Sequence, residues 1–345
     1  DNIPLPMVTD TLVEEIKEGN IYEEVKISHL IEGIIYILGI DKDFKFIEEY
    51  INILYSYNPN IEDYILYKGF QHMEKKNYEE GAIYFRALTV INNKNANGLF
   101  NYAIALEIMS KDFINKGEEE KGHSFLIKST NILESILEIN PDFPLTYYKL
   151  GYHYSYTEQF LKAKLIWEKY LKLDDALERT DEIRKQLDEI TDDVDYEEGL
   201  NYLSRGEYEL ALDKFLRLVE KYEGWWNIYY LAGLAYKGIG EYENAIDLFY
   251  EAIELDAKDI NVYNELGICL FSVGDINEAI KTFNEGIALD SKDYKIIFNR
   301  GLAYLNLGIV EKAIEDIDLA YTLNPEDIIV KKQKEELEKY KENME

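Results

Sequence analysis

The sequence predicts an all-α fold: a right-handed superhelical α-solenoid of about eight 34-residue helix-turn-helix units, closed by a C-terminal capping helix. Three observations predict it. Four segments of 34 residues run head to tail from Asp192 to Asp327. They place Gly199, Gly233, Gly267 and Gly301 in one column, and Gly206, Gly240, Gly274 and Gly308 in another seven residues later. Each then carries an alanine (Ala211, Ala245, Ala279, Ala313), followed four residues on by Phe215, Phe249, Phe283 or Ile317. A fixed period of this length marks one supersecondary unit per repeat, which buries its apolar face only by stacking on its neighbours.

Within the unit from Trp226 to Asp259, Tyr229, Ala232, Gly233 and Tyr236 fall at i, i+3, i+4 and i+7, one face of a first helix. Gly238 and Gly240 break it. Ala245, Phe249 and Ala252 line a second helix. Small residues at 233 and 245 allow close approach, and Tyr236 and Phe249 fill the space beside them.

The frame extends backwards. From Pro144 the same columns read Tyr147, Leu150, Gly151, Tyr154, Ala163 and Trp167. The unit from Glu62 to Asn95 carries Ile65, Gly69, Gly81, Phe85 and Leu88. The unit beginning at Ala96 carries Leu99, Tyr102, Ala103 and Leu106, with about a dozen extra residues placed around 111–122. Ser28 to Ile61 keeps only apolar columns such as Ile31, Leu38, Ile47 and Leu54. Residues 28–174 are therefore expected to form a first block of four units and 192–327 a second block of four. Between them, residues 175–191 are acidic and space Ile183, Leu187 and Ile190 for an amphipathic extra helix. Residues 328–345 are expected to cap the array, with Ile329, Val330, Leu337 and Tyr340 on the inner face. In residues 1–27, Pro4 and Pro6 favour an extended segment, and Thr11 with Glu14 gives the capping-box signature of a short helix.

These columns resemble the tetratricopeptide-repeat family, whose pattern is W-x2-L-G-x2-Y, then A-x3-F, then A, then P. In that family the columns 4, 7, 8 and 11 of the first helix pack between helices, while columns 2, 5, 9 and 12 line a concave groove. The resemblance implies a peptide-binding groove here made of Tyr148, Tyr152, Tyr196, Leu200, Tyr230, Leu234, Asn264, Ile268, Phe271, Phe298 and Leu302. That stripe is mostly aromatic and aliphatic, as an extended apolar binding surface requires. Co-chaperone members hold a partner's C-terminal carboxylate with Lys, Asn and Arg at fixed columns. The units from Trp226 supply Tyr230, Leu234, Glu265, Lys295 and Asn299 there, and only Lys295 fits, so a heat-shock chaperone tail is not the expected ligand.

Composition points the same way. The chain has 68 acidic and 37 basic residues in 345, a formal charge of −31, which opposes docking on nucleic acid or on an anionic membrane surface. No uninterrupted apolar run suggests a membrane span, so no membrane insertion is expected. Chemistry-bearing residues are scattered: His29, His72, His123 and His153 lie in different units without metal-ligand spacing, and Cys269 stands alone beside a packing column. No enzyme activity, cofactor or metal is expected, and Cys269 reads as a buried inert thiol. A lone cysteine and no signal-like segment after Asp1 fit a cytoplasmic protein, with Asp1 a trimmed or processed end.

The function expected is a protein–protein interaction scaffold or adaptor that takes a peptide segment of a partner, with apolar anchors flanked by basic residues. Two alternatives stand beside it: a peptide-responsive regulator like the bacterial pheromone receptors, for whose N-terminal domain residues 1–27 are too short, and the recognition part of a larger enzyme.

Overall fold

In the computed structural model of the protein, the structure describes residues 3–8 and 26–342; the Thr11–Glu14 signature lies outside the described residues. Among the described residues there are eighteen helices and no strand. The chain divides into two compact units, residues 1–189 and 190–345.

The first unit contains α1 (Ile27–Ile40), α2 (Ile47–Tyr57), α3 (Ile61–Glu74), α4 (Tyr78–Ile91), α5 (Ala96–Asn115), α6 (Glu119–Ile139), α7 (Pro144–Tyr156), α8 (Phe160–Leu173) and α9 (Leu177–Glu189). Here α3 pairs with α4, α5 with α6 and α7 with α8. The α1–α2 segment departs from that rule. Helix α1 packs mainly along α4, and its buried Glu32 reaches α3 through the Tyr64 hydroxyl at 3.1 Å and the Lys68 ammonium at 2.7 Å. Leu38 of α1, Tyr50 and Leu54 of α2 and Leu88 of α4 share one core, with Ile47 half-buried against it, and α1 packs against a partner other than its sequence neighbour. The extra residues expected around 111–122 are not a loop. They lengthen both helices of the pair, to 20 residues in α5 and 21 in α6, joined at Gly117 with φ +81°.

The second unit contains α10 (Thr191–Arg205), α11 (Tyr208–Lys221), α12 (Trp226–Ile239), α13 (Tyr242–Glu254), α14 (Ile260–Val273), α15 (Ile276–Leu289), α16 (Tyr294–Asn306), α17 (Val310–Leu323) and α18 (Ile328–Glu342). Four consecutive pairs, α10–α11 to α16–α17, pack in succession. The repeated glycine has a steric cause: a Cβ at Gly199 or Gly233 would stand 2.6 Å from the Phe215 or Phe249 ring of the paired helix. Where isoleucine replaces the aromatic, at Ile317, the contact at Gly301 relaxes to 3.1 Å. Asp259, Asp275 and Asp293 cap α14, α15 and α16 by accepting backbone N–H bonds that the helix cannot satisfy itself. Helix α18 covers the last pair with Val330 and Leu337, whereas Ile329, expected on that face, is 69% exposed. Asp327 fixes this start by accepting from the Ile329 and Val330 amides, which turns Ile329 to water; the Tyr340 side chain lies outside the described residues.

The second glycine column is a left-handed helix terminus: Gly206, Gly240, Gly274 and Gly308 have φ between 72° and 91°. In the first unit the same column of the units beginning at Glu62 and Pro144 holds Lys76 (φ 61°) and Glu158 (φ 56°). A side-chain-bearing residue there costs roughly 1–2 kcal/mol, of which glycine's greater unfolded freedom takes back about half. Glu158→Gly is therefore expected to stabilise the first unit by about 0.5–1 kcal/mol. A urea midpoint that falls would show that the Glu158 side chain compensates for its backbone.

A buried charge cluster lies in the first unit. Glu107 on α5 accepts from Lys111 at 2.7 Å and lies 3.0 Å from the Lys149 ammonium of α7. Burial alone would raise its carboxyl, but His153, Lys111 and Lys149 around it win and hold it far below the usual carboxylate range. A depressed carboxylate stabilises the fold above its unfolded value, near 4.5, and the contribution is lost as pH falls below that value. Glu107→Gln should lower stability at neutral pH and flatten its decline on acidification. A pH profile unchanged in shape would contradict this.

Candidate functional site

The first helices α10, α12, α14 and α16 of the second unit carry the stripe that the repeat columns single out, and bonds between successive repeats knit it together. Asn227 donates to the Tyr196 hydroxyl at 3.0 Å, and the Tyr196 ring stacks on Trp225 at 5.1 Å. Lys237 pairs with Glu265 on the next first helix, and Asn299 donates to Asn264 Oδ1 at 2.8 Å across one further step. The side chains at 196, 230, 234, 264, 268, 271 and 302 are all half-buried. Each rests its base on the core and leaves an edge open.

Two positions lie at the extremes. Leu200 is 37% exposed, whereas Phe298 is 9% exposed and belongs to the core. Column 5 thus takes part in the packing between helices as well as in the stripe, because its Cβ leans back over the preceding turn toward the second helix. Tyr230 does the same, with its ring 5.9 Å from that of Phe249. Burial, with Glu265 and Asp259 nearby, pushes the Tyr230 phenol up to about 12, so it remains a neutral donor. The expectation that Tyr230 stands outside the packing is corrected accordingly.

In the first unit, Tyr148 and Tyr152 of α7 meet a helix of their own unit. Their hydroxyls donate to Glu182 of α9 at 3.0 and 2.5 Å, and their rings meet edge to face at 5.2 Å. Burial and the Glu182 carboxylate raise both phenols, which keeps the two bonds in place. The acidic extra helix therefore covers this part of the stripe, and its Ile183 is fully buried while Leu187 is half-buried. Nothing in the residue pattern of 175–191 pairs it with Tyr148; only the 34-residue separation of Tyr148 and Glu182 is a clue.

Among the described residues, no group of three or more His, Cys, Asp and Glu side chains is arranged to hold a metal ion, and no helix is long and apolar enough to cross a membrane. Cys269 is fully buried, and that burial pushes its thiol up to about 12, far from the thiolate a nucleophile needs. Two of the residues at the clamp columns, Glu265 and Asn299, are paired with Lys237 and Asn264.

Comparison with known proteins agrees with this geometry. Two sequence profiles, each described as a tetratricopeptide repeat, match residues 196–260 and 240–315. No curated protein matches the chain. Among solved structures, YrrB, described as a TPR protein with an unusual peptide-binding site, is 21% identical, with 59% of this chain and 97% of that one covered and a TM-score of 0.42. The first TPR of Spaghetti (RPAP3), bound to an HSP90 peptide, is 20% identical, covering 33% and 91%, with a TM-score of 0.33. The Arabidopsis OM64 TPR domain is 21% identical, covering 33% and 95%, with a TM-score of 0.33. With the 34-residue period, the glycine contacts repeated in successive helix pairs and the profile matches over 196–315, this part of the chain is an array of tetratricopeptide repeats.

Proposed function

We propose that this protein is a non-enzymatic interaction scaffold that binds a segment of a partner protein along α10, α12, α14 and α16. The observation that carries the reading is the stripe of half-buried Tyr196, Tyr230, Ile268, Phe271 and Leu302 with the exposed Leu200, tied between repeats by side-chain bonds in a chain of charge −31. Packed apolar edges supply affinity when covered, and an acidic surround favours cationic neighbours. The partner segment thus carries apolar anchors flanked by Lys or Arg.

Selection of peptides on the full chain from a random display library tests this. Enriched peptides should combine aromatic or aliphatic anchors with basic flanks, and should lose binding about tenfold or more to Leu200→Arg or Phe271→Arg. Leu200 is the more exposed of the two, so its substitution spares the fold. The association rate should fall as salt rises, with the dissociation rate nearly constant. Acidic peptides in the selection, or basic ones indifferent to both substitutions, would contradict the reading.

A further inference from the structure

Helix α1 carries two interior glycines, Gly33 and Gly39, and both are buried. Glycine inside a helix is unfavourable unless something comes too close for a Cβ. At Gly39 that neighbour is α4, since a Cβ there would overlap the Ile83 carbonyl. At Gly33 it is not a helix. A Cβ there would overlap the Pro6 carbonyl and stand 2.8 Å from the Met7 nitrogen, so the backbone of residues 3–8 crosses directly over α1.

Residues 3–8 form neither helix nor strand. Ile3 rests on the core that α1, α2, α3 and α4 share. The fully buried Tyr50 of α2 donates its hydroxyl to the Pro4 carbonyl at 2.5 Å, and burial raises its phenol, which keeps the donor in place. Pro6, Met7 and Val8 are half-buried, whereas Pro4 and Leu5 stand out to solvent, Leu5 being 55% exposed.

This is the way a domain holds a bound peptide. Prolines at 4 and 6 have no N–H, so the backbone crosses the helix without leaving those two donors unpaired, and their fixed φ lowers the entropy lost on ordering. Aromatic-lined seats take proline-containing segments by the same means. Six residues with two of them turned to water bind weakly on their own; attachment to the chain supplies a local concentration on the order of 1 mM and keeps them seated. We propose that the seat over Gly33 and Tyr50 is a recognition site for an extended apolar segment of a partner protein, with prolines two residues apart, and that residues 3–8 close it in cis. At a net charge of −31 two copies of this chain repel each other, which favours a different protein as the outside source of such a segment. The proposal does not rest on the stripe of the second unit.

Fluorescence polarisation with a fluorescein-labelled peptide copying residues 3–8, titrated with the full chain, tests it. A chain with both Ile3→Asp and Met7→Asp, which weaken the attached segment, should bind the peptide about tenfold more tightly than the wild type, because the seat has lost its competitor. In that background Tyr50→Phe, which keeps the ring and removes the donor, should weaken binding about fivefold. Gly33→Ala should abolish it with the helical circular dichroism intact, and replacing both prolines of the peptide by alanine should weaken it. If the doubly substituted chain fails to fold, the weaker binding of the wild type and its loss in Gly33→Ala decide. No binding to the wild type or the double variant, equal affinity for the two, or binding indifferent to Gly33→Ala or to the prolines would each overturn the proposal. A wild type that dimerises as its concentration rises, and ceases to do so with Gly33→Ala, would assign the seat to a second copy and overturn the partner reading.

Discussion

Trp167→Ala is expected to cost the first unit about 3–5 kcal/mol. Trp167 is fully buried on α8, and its indole N–H donates to the Tyr148 carbonyl at 3.2 Å. Its ring meets Tyr152 edge to face at 5.1 Å and fills the space left open by Gly151, where a Cβ would overlap the indole. Truncation leaves a large cavity between α7 and α8 and removes the second donor to the Tyr148 carbonyl, and helix pairs held face to face collapse poorly into such a void. Because Tyr148 and Tyr152 hold α9 through Glu182, the same change should loosen that helix first. Urea unfolding followed by circular dichroism, with hydrogen exchange in 177–189, reads both effects. A loss below about 1 kcal/mol would mean that the α7–α8 contact does not carry this part of the fold.

Asp316→Ala should be comparably severe in the second unit, also about 3–5 kcal/mol. The Arg300 guanidinium of α16 grips Asp316 of α17 with two parallel bonds, Nε to Oδ2 at 2.7 Å and Nη2 to Oδ1 at 2.6 Å, and Asp316 is buried. Removing the carboxylate leaves a half-buried cation with Asn284, at 2.6 Å, and the face of the Tyr304 ring to receive it. The pair itself need not be strongly stabilising, since desolvation offsets much of the attraction. Arg300→Leu combined with Asp316→Leu should therefore recover most of the loss. A double variant as unstable as Asp316→Ala alone would show that the damage is lost packing at Gly301, where a Cβ would stand 3.1 Å from Asp316 Cβ, and not an uncompensated charge.

The periodic parts of this fold are legible because period and residue type coincide. Gly199 and Gly233 are small because a phenylalanine ring lies against them, and Gly206 and Gly240 are glycine because the chain turns left-handed there. Lys76 and Glu158 adopt the same turn without the residue type that announces it, since a repeat with enough packing tolerates the strain. The extra residues of 111–122 leave no pattern that separates a loop from two longer helices, and Gly117 alone marks the new turn. The partner of α1 is equally hidden, because an apolar stripe does not name the helix it faces, and this one packs mainly along α4. Within the stripe, columns 9 and 12 are half-buried apart from the exposed Leu200, while Phe298 at column 5 belongs to the core. Glu107 and Ser110 carry a signal of the buried polar cluster: both fall on the apolar face of α5 with Ala103, Leu106 and Phe113, where a polar side chain must find a buried partner.

Hydrogen–deuterium exchange of the full chain, with and without a selected basic-flanked peptide, tests the central claim most directly. Residues 191–205, 226–239, 260–273 and 294–306 should gain protection at successive steps, with the second helices 208–221, 242–254 and 276–289 unchanged. Protection confined to those second helices, or to the first unit, would place the partner elsewhere and contradict the account.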